Sequence, residues 1–152
     1  MKKTKRERNT NYRYSSHTVS KLIAHIVWIT KYRYKIIQGP IKPRIRELII
    51  QICDTEDVKI IGGVVSSDHI HLQIEYPPKL SISELVKKLK GRTSRIIQKE
   101  FPYLSKRYWG THFWGIGYGV WSSGNITDEI IQEYLKHHNK EKGNLVQDIM
   151  LD

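Results

Sequence analysis

No run of apolar residues in this 152-residue chain approaches the roughly 20 needed to cross a bilayer, which excludes a membrane-spanning helix. The basic N-terminus (Lys2, Lys3, Lys5, Arg6, Arg8) leads into polar residues where a secretory signal would have its apolar segment, so the expected location is inside the cell. Cysteine is nearly absent. Cys53 stands alone, which rules out an internal disulfide and fits a reducing compartment; its place in an apolar helical pattern reads as a buried thiol without chemistry. Acidic residues are scarce as well, 15 against 26 Lys plus Arg, for a net charge of +11. That balance points to a polyanionic partner, nucleic acid before anionic lipid. No phosphate-cradling P-loop is present, and the glycines of Gly115-Ile116-Gly117-Tyr118-Gly119 lack the strand-to-helix setting of a dinucleotide site. No internal repeat is visible.

What is there is one domain's worth of chain, 39% apolar and 10% aromatic, enough for a real core. Residues 1–16 read as a flexible basic arm, 17–143 as the domain and 144–152 as a tail. The β-branched run Val19–Thr30 predicts a buried first strand, continued by Lys31–Lys35 with alternating cations and tyrosines. After the Gly39-Pro40 break, Ile45, Leu48, Ile49 and Ile52 recur at helical spacing to about Asp54, with Pro43 tolerated in the first turn. Val58–Val65 predicts a second strand whose Gly62-Gly63 pair suggests a bulge or a close backbone approach, and Ser66–Asp68 turns it into a third, His69–Tyr76. Ser81 or Ser83 caps a second helix running to about Glu100, with Gly91 as an interruption. An aromatic segment with a strand near Val120, a Ser122–Asn125 linker and a helix from Asp128 to about Lys140, capped by Thr127, complete the chain. The order β-α-β-β-α-β-α is that of an α+β, ferredoxin-like (split βαβ) antiparallel sheet with two packed helices and an added C-terminal helix.

The triplet His69-Ile70-His71 places two imidazoles on one side of a strand, since residues i and i+2 share a face. Neutral imidazoles side by side suit a divalent cation. Taken alone the triplet is ambiguous between ligands and ordinary strand residues. In the last helix Ile130, Ile131, Tyr134, Leu135 and His138 share a face, so Tyr134 and His138 are neighbours one turn apart. Tyr134 reads either as an amphipathic core residue or as a nucleophile beside a metal held by His69, His71 and His138. In the second reading a cation stabilises the phenolate and polarises a scissile phosphate, leaving a phosphotyrosine and a free 3′-hydroxyl without any nucleotide cofactor. Lys87, Lys88, Lys90, Arg92, Arg95 and Lys99 crowd the second helix, either as a solvated face or as a phosphate surface. Lys31 and Arg33, mixed with Tyr32 and Tyr34, have the composition that grips single-stranded nucleic acid.

Together these residues resemble the single-tyrosine HUH transposases, which move insertion sequences as single-stranded DNA. The marks run in order over roughly Thr18 to Asn139: His25-Ile26-Val27-Trp28 into Lys31-Tyr32-Arg33, Asp68-His69-Ile70-His71, Lys90-Gly91-Arg92-Thr93-Ser94-Arg95, Trp114-Gly115-Ile116-Gly117-Tyr118, and the helix bearing Tyr134. The resemblance implies Tyr134 as nucleophile and His69 and His71 as ligands of Mg²⁺ or Mn²⁺, while the charge pattern gives Lys31, Arg33, Lys90, Arg92 and Arg95 as the expected DNA contacts. It also implies hairpin-marked single-stranded DNA as substrate, and a cytoplasmic, nucleoid-associated prokaryotic setting. The implied assembly is a homodimer whose sheets join and whose active sites are shared, the tyrosine helix of one subunit serving the histidine pair of the other. The family's third ligand is a glutamine one turn after the tyrosine. This chain has His138 there, which favours softer ions such as Mn²⁺ over Mg²⁺. Two rivals remain: a histidine-triad nucleotidyl transferase built on His69-Ile70-His71-Leu72-Gln73, and a non-catalytic hairpin-binding module.

Overall fold

A computed structural model describes residues 11–106, 112–122 and 128–137. The elements are β1 (Arg13–Tyr14), β2 (Val19–Ser20), β3 (Leu22–Ile29), α1 (Ile41–Thr55), β4 (Lys59–Val65), β5 (His69–Tyr76), α2 (Ile82–Glu100), β6 (Gly119–Ser122) and α3 (Asp128–His137). β3 to β6 form one antiparallel sheet in the order β4-β5-β3-β6, with β1 and β2 a separate two-stranded ribbon. Leaving out the ribbon and α3, this is the β-α-β-β-α-β split βαβ arrangement expected from the pattern of strands and helices.

The central strand β3 is apolar on both faces because both are covered. Ala24, Ile26 and Trp28 join Ile70, Leu72 and Ile74 of β5 under α1 and α2, which contribute Ile45, Ile49, Leu85, Leu89 and Ile97 among others. Val27 and Ile29 face the other way and pack against Ile131 and Leu135 of α3. The sheet thus has two helices on one face and the C-terminal helix on the other. Burial of Cys53 in the first layer, with Glu56 nearby, pushes its thiol up to about 12, so it is an inert core residue.

α2 begins where Ser81 accepts a hydrogen bond from the Glu84 amide. It then continues unbroken through Gly91, because the helix is anchored on both sides of it by buried residues, Leu85, Val86 and Leu89 before and Thr93 and Ile97 after. Gly63 sits where β4 crosses close to β5: a Cβ would lie 2.8 Å from the His71 carbonyl oxygen, and the register shifts between Ile60 and Gly62. Both halves of the Gly62-Gly63 expectation are therefore met.

Two stretches differ from the sequence expectation. Lys31–Arg33 does not extend β3 but forms a 3-10 turn, with Tyr32 and Arg33 both at φ +55°. Pairing with β5 continues one residue past Ile29, the Thr30 amide donating to the Asp68 carbonyl in register, and the strand stops where the Lys31 amide donates to the Phe113 carbonyl instead and φ turns positive at Tyr32. Arg13 and Tyr14 lie in β1 rather than in a loose arm, because Arg13 donates to both Glu75 oxygens and to Asp57. Residues 1–10, most of the Ser122–Asn125 linker, Thr127, His138 and the 144–152 tail lie outside the described residues.

Candidate functional site

The site is built on the sheet face that α3 covers. In β5, His69, His71 and Gln73 are opposite Ile29, Val27 and His25 of β3, and residues paired across a ladder share a face. His69 and His71 therefore stand on the same side as Val27 and Ile29, the two residues on which Ile131 and Leu135 of α3 rest. The period-two reading of the triplet and the i, i+4 reading of the helix meet on one surface. Tyr134 is half-buried there, packed edge-on against Trp121 of β6 with ring centroids 5.9 Å apart. Gly119 makes room for this pair: a Cβ at that position would come within 2.5 Å of the Trp121 ring and 3.2 Å of the Tyr134 ring.

Each histidine has a partner that fixes its ring. His69 Nδ1 lies 2.8 Å from Asp68 Oδ1. A carboxylate only accepts, so Nδ1 carries the proton, and in the neutral ring the lone pair is left on Nε2. That is the tautomer a metal-binding imidazole needs, with its carboxylate partner in place. Asp68 is buried, and its hydrogen bond with His69, reinforced by the adjacent Arg33 guanidinium, holds its carboxyl below the usual range against the opposing effect of burial. His71 Nε2 lies 3.2 Å from His25 Nδ1, the rings tilted at 31°. Burial lowers the His25 pKa, so this ring is held neutral. Two imidazoles and a phenol on one face fit the donor chemistry of a divalent cation. Among the described residues no group of three or more His, Cys, Asp or Glu gathers into a closed cage, and His138, the expected third ligand, lies outside them.

Arg33 goes elsewhere than the sequence suggests. Its guanidinium turns inward, donating through one terminal nitrogen to Asp68 Oδ2 at 3.0 Å and through the other to the Leu135 carbonyl at 2.9 Å. Lys31 lies over the Tyr32 ring, 5.3 Å from its centroid. Lys90 is also drawn in: its ammonium donates to the carbonyls of Gly115 and Gly117, and burial lowers its pKa to about 8. Lys88 pairs with Glu56. Arg92 and Arg95 remain exposed. Arg95 and Lys90 line an open groove of about 710 Å³ with Ser94, Gln98, His112 and Trp114. The groove wall is rigid because Thr93 accepts from Trp114 Nε1 at 2.9 Å while donating to the Leu89 carbonyl.

Three residues of the site had no role in the sequence reading or a different one. Asp68 and His25 carried no role, although both flank or share the period of named residues, and the inward turn of Arg33 has no local signal at all. No helix among the described residues is long and apolar enough to cross a membrane.

Residues 18–138 match the family model described as IS200-like transposase. The chain is 33% identical over 126 residues to the transposase for insertion sequence element IS200 of Salmonella typhimurium, covering 83% of this chain and 82% of that one. It is 29% identical over 124 residues to the ISDra2 transposase TnpA of Deinococcus radiodurans, covering 81% and 89% respectively. Among solved structures, a crystal structure described as a transposase from Deinococcus radiodurans superposes with a TM-score of 0.78 at 27% identity, over 84% of this chain and 98% of that one. A tyrosine transposase bound to a REP hairpin shares the fold at a TM-score of 0.52 and 12% identity, over 82% of this chain and 68% of that one. With the match spanning the whole sheet, the histidine strand and the tyrosine helix, the chain belongs to the family of IS200-like transposases.

Proposed function

We propose that this transposase cleaves and rejoins single-stranded DNA at hairpin-marked element ends, with Tyr134 as the nucleophile. The observation that carries the reading is the seating of α3 on the His69–His71 face of the sheet. Tyr134 Oη attacks the scissile phosphorus; the Oη–P bond forms as the P–O3′ bond breaks. One proton leaves the phenol and one joins the departing 3′ oxygen. The product is a 5′-phosphotyrosine and a free 3′-hydroxyl, and the reverse attack by another 3′-hydroxyl rejoins the strand. A divalent cation at His69, His71 and His138 would supply Lewis acidity and lower the cost of the phenolate. A phenol with an ordinary pKa of about 10 is mostly protonated at neutral pH, which is why the reaction needs that help. Trp121 holds the Tyr134 ring from its edge, and Asp68 keeps His69 in the ligating tautomer. Exposed Arg92 and Arg95, with Lys31 and Lys90, would provide the positive field for the substrate.

A homodimer whose sheets join fits the open edge of the sheet, and sharing of its active sites would need α3 to move. β4 ends the sheet with no partner strand on its outer side among the described residues, and it carries exposed Ile61 and Val64, an edge that invites pairing with a second copy. α3 is joined to β6 by a short segment, and here it rests on its own chain's sheet. Service to a second copy would require it to leave that seat.

The test is a denaturant-resistant adduct with hairpin-bearing single-stranded oligonucleotides in Mn²⁺ or EDTA. The expected result is an adduct with the wild type in Mn²⁺, lost in EDTA, in Tyr134→Phe and in His69→Ala. An adduct that survives Tyr134→Phe but disappears in His71→Ala would favour the histidine-triad chemistry. Hairpin binding without any adduct, indifferent to chelation, would mean a binding module.

A further inference from the structure

We infer that Arg33 couples the seating of the tyrosine helix to the orientation of His69, acting through Asp68 as a positioning residue. The inference rests on the reading of Tyr134 and His69 as site residues given above. From the last turn of α3 to the imidazole of His69 runs an unbroken series of three hydrogen bonds. Arg33 donates to the Leu135 carbonyl at 2.9 Å and to Asp68 Oδ2 at 3.0 Å, and Asp68 Oδ1 pairs with His69 Nδ1 at 2.8 Å. Leu135 adjoins Tyr134 in sequence, so the series begins beside the nucleophile and ends on a metal donor.

The guanidinium is what makes this a coupling. It is planar and its donors point in fixed directions, so it satisfies both acceptors only when α3 and the Asp68 carboxylate stand in one mutual arrangement. Asp68 accepts on both oxygens at once, and a carboxylate fixed on one side presents its other oxygen in one direction. Removing α3 would leave the guanidinium one acceptor short and the carboxylate less constrained. His69 thereby responds to whether a tyrosine helix is docked, its own or that of a second copy.

An independent observation marks the same place. Tyr32 and Arg33 both sit at φ +55°, a left-handed conformation that two successive residues with side chains rarely adopt. Such strain persists where surrounding interactions over-determine the backbone, and it concentrates at working sites. Here the turn is pinned from beneath: the Thr30 amide donates to the Asp68 carbonyl, and the single hydroxyl proton of Thr30 points to the Tyr34 carbonyl at 2.7 Å, with the Asp68 carbonyl 3.2 Å from the same oxygen. The segment carrying Arg33 and the carboxylate it grips are therefore locked together before the guanidinium adds its bonds. A simple ion pair would need neither the strained turn nor the second acceptor on α3.

The test uses the full chain and three variants, Arg33→Gln, Arg33→Lys and Asp68→Asn. Three quantities are read: amide hydrogen exchange over residues 128–137, the His69 tautomer by long-range ¹⁵N correlation, and Mn²⁺ affinity by calorimetry. Arg33→Gln should speed exchange in α3 by about tenfold, the scale of one lost hydrogen bond, while the core of β3 and α1 stays protected. It should also mix the His69 tautomers and weaken Mn²⁺ binding, within the about 10–100-fold typical when a ligand's supporting partner is lost. Asp68→Asn should change the tautomer and the affinity but leave α3 exchange nearer the wild type. Arg33→Lys should restore one end of the series, not both, and it remains readable if Arg33→Gln unfolds. Unchanged α3 exchange together with an unchanged His69 tautomer in both Arg33 variants would overturn the inference. A wild type that binds no Mn²⁺ and forms no adduct would defeat the proposed function instead, and exchange and tautomer would still decide the coupling.

Discussion

A methyl group at Gly119 has nowhere to go, because the Trp121 ring lies 2.5 Å from where it would stand and the Tyr134 ring 3.2 Å. Gly119→Ala should therefore push the pair of rings apart, costing about 1–3 kcal/mol of stability, as overpacking does. The yield of covalent adduct should fall further than stability explains, since the ring of the proposed nucleophile is displaced; denaturation midpoints and adduct yields measured on the same preparation check this. Trp114 offers a second case. Its Nε1 is buried against Thr93 Oγ1, so Thr93→Val should cost about 1–3 kcal/mol by orphaning that donor, read as a lowered urea midpoint. At this scale the sequence was informative where geometry is local. His69 and His71 share a face by strand period, and Tyr134 turns inward by helix period. Arg33 was read as a phosphate contact because its bonds reach across 35 and 102 positions, which no local pattern records. Asp68 and His25 were noted as marks of the resemblance but given no role: that of His25 is set by which strands become neighbours, whereas the bond of Asp68 to His69 is local.

Helix α2 was located by its apolar spacing and a cap at Ser81 or Ser83, yet the use of its cations depends on what packs beside it. Lys90 is held by the carbonyls of Gly115 and Gly117 and its pKa falls to about 8 on burial. The folded chain then releases this proton at a lower pH than the unfolded chain, whose lysine titrates near 10.4. Between about 8 and 10.4 the unfolded state binds more protons, so this group makes stability rise with pH in that window. Denaturant titrations at pH 7, 8, 9 and 10 should show the rise in the wild type and lose it in Lys90→Met; an identical pH dependence in both would contradict the assignment. The Lys31–Lys35 segment was taken as strand because its residues alternate. Alternation describes a ladder only where a partner strand continues, and here pairing with β5 ends at Thr30 and Asp68, the Lys31 amide pairs with Phe113 and the chain turns at Tyr32. α3 was predicted as an amphipathic helix, and the face it buries carries the residues expected, Ile131 and Leu135 among them.

At the scale of the whole molecule, a net charge of +11 makes association with DNA a matter of counterion release. Three phosphate contacts on single-stranded DNA would weaken binding roughly twentyfold between about 50 and 200 mM salt, with each contact adding about 0.7 to the log–log slope. The double change Arg92→Ala, Arg95→Ala should lower that slope by about 1.4, measured by fluorescence anisotropy; an unaltered slope would remove the exposed face of α2 from the DNA path. The split βαβ order was legible in the alternation of strand and helix patterns. The side of the sheet on which the last helix lands was not, because it depends on β3 being apolar on both faces and on which face α1 and α2 leave open.

The central claim is that a phenol from α3 and the imidazoles of β5 form one reaction centre, and it is met most directly by mapping the bond itself. Protein trapped with a cleaved hairpin oligonucleotide in Mn²⁺, digested and sequenced by mass spectrometry, should carry the nucleotide on Tyr134. A nucleotide found on His69 or His71, or on another tyrosine, would contradict the account.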